Sequence, residues 1–259
     1  MNRSRFIKDY IRYYFRAKTK YAIHSPFVFE FVTKVLNQKK VNNEQIENIE
    51  KIRRELLHSS KEINVVDFGA GSYSQQTNLR KVKEIVKSSS KSRKQANLLY
   101  RITNYYKLND VMELGTSLGI SSMYLATVGG NVVTIEGCPE TAMLAEENFT
   151  RLGFKNIQQR IGNIDNLLPE IVKQQTFDCV FFDGNHTEEA TIRYFELCLK
   201  SIMNESVFIF DDINWSEGMK KAWSNIRQHN SVSVTINLYF MGIVFFRKEL
   251  SKEDFIIRF

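Results

Sequence analysis

Cysteine is scarce in this chain and badly spaced for a structural job. Cys138, Cys179 and Cys198 are odd in number and contain no Cys-x-x-Cys pair. That pattern excludes a disulfide framework and a zinc-ribbon site, and it reads as reduced, mostly buried thiols. Long apolar runs are also missing: none approaches the roughly 20 residues of a membrane span. The start, Met-Asn-Arg-Ser-Arg, lacks the apolar core of a signal peptide, so the expected location is cytoplasmic. No internal repeat is visible. The composition, 43% apolar and 25% charged over 259 residues, is that of a globular α/β-sized protein with a sizeable core.

The net charge of +7 is unevenly placed. Residues 1–110 carry 23 Lys/Arg against 10 Asp/Glu, whereas residues 111–259 carry 13 against 19. Within residues 1–40, Phe6, Tyr10, Tyr13, Tyr14, Phe15 and Tyr21 alternate with Arg3, Arg5, Lys8, Arg12, Arg16, Lys18 and Lys20. Phe6, Tyr10, Tyr13 and Tyr14 recur at helical spacing. Such a face either docks on the main domain, the reading favoured here, or meets an anionic membrane surface or nucleic acid bases. Peripheral contact with the inner membrane face through residues 1–40 is the corresponding partner expectation.

The chain is organised around Val111–Glu136. A short apolar run ends on Glu113, and Gly115-Thr116-Ser117-Leu118-Gly119 forms a small-residue turn. Ile120–Thr127 reads as a helix stopped by Gly129-Gly130, and Val132–Ile135 is a second strand closing on Glu136. Glycines allow close approach of a ligand, and free N–H groups at a helix start would face it. Glu136 lies 21 residues after Gly115, near the roughly 20 expected of an acid that accepts ribose hydroxyls. The Gly-x-x-x-Gly spacing and Glu113 disfavour a pyrophosphate and suit a nucleoside carrying an amino group and a sulfonium.

Other segments follow from capping and periodicity. Ser25 or Pro26 opens a helix from Phe27 to about Leu36, and residues 41–62 are helical in pattern. Val65-Val66-Asp67-Phe68-Gly69-Ala70-Gly71-Ser72 imitates a nucleotide-binding turn, but a basic, serine-rich stretch follows where an acid is needed. Residues 63–95 therefore read as an extended segment, a glycine turn and a mobile basic loop, either a lid or a plain connection. Residues 96–108 form a helix, Pro139–Leu152 another, and Ile157–Ile161 a strand. Phe177–Phe182, Thr187–Ile202, Val207–Phe210 and Glu217–Arg227 continue the alternation of strand and helix. Val232–Leu238 with Gly242–Phe246 close as a hairpin whose edge near Gly242 is expected to be exposed. The expected fold is α/β, a doubly wound, mainly parallel sheet with a C-terminal antiparallel hairpin. Two domains are expected: a basic helical extension over 1–108 and a cofactor-binding domain over 109–259.

ELGTSLGISS followed by TIEG resembles the nucleotide-binding half of class I S-adenosylmethionine-dependent methyltransferases, nearest their O-methyltransferase branch. The resemblance spans Asn109 to Arg247. His24-Ser25-Pro26-Phe27-Val28-Phe29 resembles a signature of bacterial methyltransferases of this shape, those of Bacteroidetes in particular. The resemblance implies a Rossmann-like fold and S-adenosylmethionine as cofactor. It implies that Glu113, Gly115, Thr116, Ser117 and Gly119 contact the methionine part and that Glu136 takes the ribose. Gly137, Cys138, Asn163 and Ile164 would flank the adenine, with Asn163 standing where many relatives have an acid. Asp183 is counted with this cofactor set as well.

Strand ends supply a second group: Asp183-Gly184-Asn185-His186, and the pair Asp211-Asp212. Converging carboxylates call for a proton, hydrogen bonds or a cation, and an all-oxygen set suits magnesium, calcium or manganese, with magnesium the one expected here. The resemblance to metal-dependent O-methyltransferases places the metal on Asp183, Asp211 and Asp212; otherwise Asp211 caps a turn and Asp212 is solvated. His186 is the candidate general base together with Asp183, or alternatively the cap of the helix at Thr187. Trp215 is a candidate pocket wall. The acceptor is expected to be a small or lipid-linked molecule rather than nucleic acid, methylated on oxygen. An aminopropyl transferase of the same fold and a non-enzymatic membrane- or RNA-docking protein are the other readings.

Overall fold

A computed structural model describes residues 3–38, 41–66 and 79–259. The glycine turn at 67–72 lies outside these residues. In chain order the elements begin with α1 (Arg3–Arg16), α2 (Pro26–Phe31), α3 (Glu44–His58), β1 (Glu62–Asn64), β2 (Leu79–Lys81), α4 (Val82–Ser89) and α5 (Arg93–Tyr106). The central stretch comprises β3 (Asp110–Leu114), α6 (Ile120–Ala126), β4 (Asn131–Glu136), α7 (Pro139–Arg151), β5 (Ile157–Ile161) and α8 (Ile164–Gln174). The last part comprises β6 (Cys179–Phe182), α9 (Glu188–Cys198), β7 (Val207–Asp211), α10 (Glu217–Gln228), β8 (Val234–Asn237), β9 (Met241–Phe245) and β10 (Glu253–Ile256). Contacts divide the chain into two compact units, 38–171 and 1–37 with 172–259.

In the unit 38–171, β3, β4 and β5 pair in parallel, with Leu114 opposite Ile135 and Glu136 opposite Ile161. The crossovers are α6 and α7, which is the α/β alternation predicted. Both inner strands bury nearly every residue, as parallel strands covered on both faces do. Pro139 opens α7 at its first turn, where the missing N–H costs nothing. Asn43 caps α3 through Gln45 and Ile46, and a Ser92–Gln95 capping box opens α5.

Two local predictions fail here. The serine-rich stretch read as a mobile loop is the end of α4: Val82, Ile85 and Val86 form one face and pack with Ile63, Leu118 and Leu144. Burial of that stripe outweighs the weak helix preference of the serines. The helix α8 was not foreseen, because Pro169 lies inside it. Leu168 and Val172 bury their stripe nonetheless, at the cost of one backbone hydrogen bond.

In the other unit, β6 and β7 are parallel, β7 pairs antiparallel with β9, β9 with β8, and β8 in parallel with β10. The hairpin is therefore present, but its predicted open edge is not. Gly242 is opposite Phe210 on one side and Asn237 on the other, so β9 is paired along both flanks. The strand β10, too short and polar to stand out in the sequence, covers the far side of β8. Gly242 is there for packing: a Cβ would meet the Trp223 ring at 2.5 Å. Gly242→Ala should lower unfolding free energy by about 1–3 kcal/mol in a denaturant titration, the usual cost of overpacking a core. An unchanged midpoint would show that the indole yields.

The helix α1 docks as favoured, through part of its aromatic set. Tyr13 and Ala17 are buried against Tyr239, and the Tyr13 hydroxyl donates to the Ile257 carbonyl. Tyr10 meets Tyr239 edge-on at 5.0 Å. A cavity of about 350 Å³, bounded by α10 and strands β8 and β10, contains none of the predicted site residues.

Candidate active site

The turn from β3 into α6 is held by its own backbone. Gly115 and Thr116 donate N–H bonds to the Ile135 carbonyl, and Gly119 donates to the Thr116 carbonyl. Gly115, Ser117 and Gly119 all have positive φ, at 106°, 49° and 79°. Gly119 has a further reason to lack a side chain, since a Cβ would stand 2.4 Å from the Phe149 ring. The predicted donors to a ligand are thus largely used inside the turn, and the glycines hold its shape.

Glu136, at the tip of β4, closes the turn. Its Oε2 accepts the Ser117 N–H at 2.8 Å and its Oε1 accepts the Cys138 N–H at 2.9 Å. A carboxylate offers about four acceptor positions, of which these N–H groups take two. Glu136 and Gly137 are half-buried, and Cys138 is buried with its thiol donating to the Asn64 carbonyl at 3.3 Å. Asn163 immediately precedes α8 and Ile164 begins it, with Asn163 Oδ1 accepting the Asp165 N–H at 2.9 Å. The Asn163 carbonyl is therefore engaged as a helix cap.

Glu113 is fully buried behind the turn. Its Oε2 accepts from the Ser122 hydroxyl and, at 2.7 Å, from Thr134, which also meets Thr116 at 2.6 Å. Thr116 thereby turns into this network. The Glu113 Oε1 is buried, with no hydrogen-bond partner among the described residues. Burial pushes the Glu113 carboxyl from 4.5 up to about 7, against the opposing pull of the Ser121, Ser122 and Thr134 hydroxyls and the Lys91 charge. The folded protein therefore binds this proton more tightly than the unfolded chain. The group's contribution to stability is complete below about pH 4.5 and is lost as pH rises through 7. Glu113→Gln should remove that part of the decline in unfolding free energy between pH 5 and 8. An unaltered pH profile would place the titration elsewhere.

The second group lies in the other unit. Asp183, His186 and Asp211 each offer a ligand atom, and these atoms lie within 4.8 Å of one another. His186 Nε2 is 3.6 Å from Asp183 Oδ1. Asp211 ends β7 and is 2% exposed. The cap of α9 is Thr187, which accepts from the Ala190 N–H, so the imidazole is not the cap. Of the predicted metal trio, Asp183 and Asp211 belong to the convergent group found among the described residues, with His186 as its third member; Asp212 is not in that group. Asp212 adopts a left-handed φ of 52°, and its carbonyl accepts from the Trp215 N–H in the turn. Trp215 is 48% exposed.

Sequence reasoning missed the neighbours of the glycine turn. Ser89 Oγ lies 2.8 Å from Ser117 Oγ, and the Asn64 N–H and side-chain amide donate to Glu140 at 2.8 and 3.1 Å. The amphipathic spacing of Val82, Ile85 and Val86 was the available signal for α4.

Residues 112–213 match a family model described as a methyltransferase domain. Protein-L-isoaspartate O-methyltransferases of Magnetococcus marinus and Gloeobacter violaceus are each 38% identical over 53 residues. That segment is 20% of this chain, and the chain spans about a quarter of the length of these relatives, 23% and 26%. Among solved structures, the SAH-bound methyltransferase PaMTH1 of Podospora anserina superposes with a TM-score of 0.61 at 11% identity, over 87% of this chain and 97% of that one. The O-methyltransferase TomG of Streptomyces achromogenes, in complex with SAM, gives 0.58 at 18% identity over 83% and 95%. The O-methyltransferase of Bacillus cereus in complex with SAH gives 0.56 at 20% identity over 85% and 97%. At these identities the likeness is one of fold, Rossmann-like as predicted.

Proposed function

We propose that this chain, whose residues 112–213 match a methyltransferase family model, transfers a methyl group from S-adenosylmethionine to an oxygen of a small or lipid-linked acceptor. The observation that carries the reading is Glu136: a carboxylate at a parallel-strand tip, fixed by N–H groups of the glycine turn before it. That arrangement suits recognition of a ribose. Glu113, buried behind the turn, shapes it through Ser122 and Thr134 rather than presenting a charge to the cofactor. Gly115, Ser117 and Gly119 would border the methionine part, with Glu113 and Thr116 shaping the turn from behind; Glu136 would take the ribose, and Gly137, Cys138, Asn163 and Ile164 would flank the adenine. Bound S-adenosylmethionine supplies a methyl on a sulfonium, a good leaving group that needs no activation by the protein.

What remains for the chain is to orient the acceptor and remove its proton. His186 has the chemistry of the base, and Asp183, 3.6 Å away, favours the imidazolium that forms. Two carboxylates and an imidazole also fit a divalent cation, and the nitrogen donor suits manganese or zinc at least as well as magnesium. Such a cation would lower the pKa of a hydroxyl bound to it. A chelator separates the two roles of His186. We expect turnover to fall after chelation and to return with manganese or magnesium; turnover indifferent to chelation would leave His186 as base without a cation.

The reading is tested by following S-adenosylhomocysteine release from S-adenosylmethionine with alcohol, phenol and carboxylate acceptors. Release above a Glu136→Ala control, with the methyl found on oxygen, supports it. Methyl found only on nitrogen or carbon would reject oxygen as the acceptor atom.

A further inference from the structure

The docked stripe of α1 leaves a second stripe uncovered. Ile7, Ile11, Tyr14 and Phe15 follow one another at i, i+4, i+7 and i+8, so they lie along one side of the helix. They are 50%, 48%, 42% and 81% exposed. Round the helix, the docked residues Tyr10, Tyr13 and Ala17 border this stripe on one side, and Lys8, Arg12 and Arg16 border it on the other. Those three basic residues are exposed. Immediately after the helix come exposed Lys18 and Tyr21, the latter 86% exposed with Lys20 over its ring. Arg258 lies 4.0 Å over Tyr14 and adds a further cation beside the stripe.

We propose that this face seats the protein on an anionic phospholipid surface. An apolar stripe bounded by a row of cations is the arrangement by which a helix lies in the membrane interface, its apolar side among acyl chains and its cations among headgroups. No helix among the described residues is long and apolar enough to cross a bilayer, so the contact would be interfacial. Charge decides against a second copy, which would bring the Lys8–Arg12–Arg16 rows together against like charges. The make-up of the stripe decides against nucleic acid: Ile7 and Ile11 are aliphatic and the Tyr14 ring is covered by Arg258, which leaves Phe15 alone of the four for a base to stack on.

The test is co-sedimentation of the full chain with vesicles of phosphatidylcholine alone and of phosphatidylcholine with phosphatidylglycerol. Binding is expected to the mixed vesicles and not to the neutral ones. Ile11→Ser with Phe15→Ser should weaken it at least about tenfold, since both side chains would leave the acyl region. Lys8→Glu with Arg12→Glu should weaken it comparably. All four positions are exposed, so the thermal transition of each variant should match the parent. Absence of binding by the parent chain, or binding indifferent to the Ile11/Phe15 pair, would overturn the proposal. A salt-dependent RNA shift without lipid binding, or self-association lost with Phe15→Ser in its place, would overturn it too.

Discussion

Asp211→Ala should lower kcat by at least about 100-fold while leaving S-adenosylhomocysteine affinity nearly unchanged, the scale seen when a group of an acid–base site is removed. Asp211 sits in the Asp183–His186 group, whereas every residue assigned to the cofactor lies around the glycine turn and the ends of β4 and β5, Asp183 excepted. Asp212→Ala is the necessary companion. It stands one residue further on, outside that group, and is expected to retain turnover within a few-fold. The contrast distinguishes this site from the Asp183–Asp211–Asp212 trio that the sequence suggested. Equal loss in both variants would restore Asp212 to the chemistry. Because Asp211 is buried, Asp211→Asn and the thermal transition of each variant separate lost chemistry from lost folding.

The second large effect is expected on cofactor binding. Glu136→Ala should weaken S-adenosylhomocysteine binding by about 100-fold, as two charge-assisted hydrogen bonds to the ribose disappear. The same change removes the acceptor of the Ser117 and Cys138 N–H groups, so the turn also loses its fixed shape. Glu136→Gln keeps the outline and one oxygen, and its loss should be intermediate, about tenfold. If both variants bind like the parent, Glu136 serves the turn alone.

Much of the half around the glycine turn was legible because each of its elements announces itself locally. Pro139 opens α7 at the position where proline is tolerated, and the apolar runs at β3 and β4 each end on an acid. Glu136 was placed by counting from Gly115. The acid–imidazole group was only partly legible. Asp183, His186 and Asp211 were each singled out, but which aspartate of the pair turns inward depends on the left-handed backbone at Asp212. No residue type in the sequence forces that conformation. The remaining misses were tertiary overrides. Serines ended α4 because Val82, Ile85 and Val86 had a core to reach, and Pro169 was carried by the buried stripe of α8. The strand β10 exists because β8 offered it an edge, and Gly242 reads as an exposed hairpin glycine until Trp223 is seen above it.

The central claim is the identity of the nucleoside ligand, and calorimetric titration tests it most directly. Purified protein would be titrated with S-adenosylhomocysteine and, separately, with a nicotinamide dinucleotide. One site for S-adenosylhomocysteine is expected, with a dissociation constant on the order of micromolar, and no heat from the dinucleotide. Saturable dinucleotide binding with no response to S-adenosylhomocysteine, in protein shown to be folded, would contradict it.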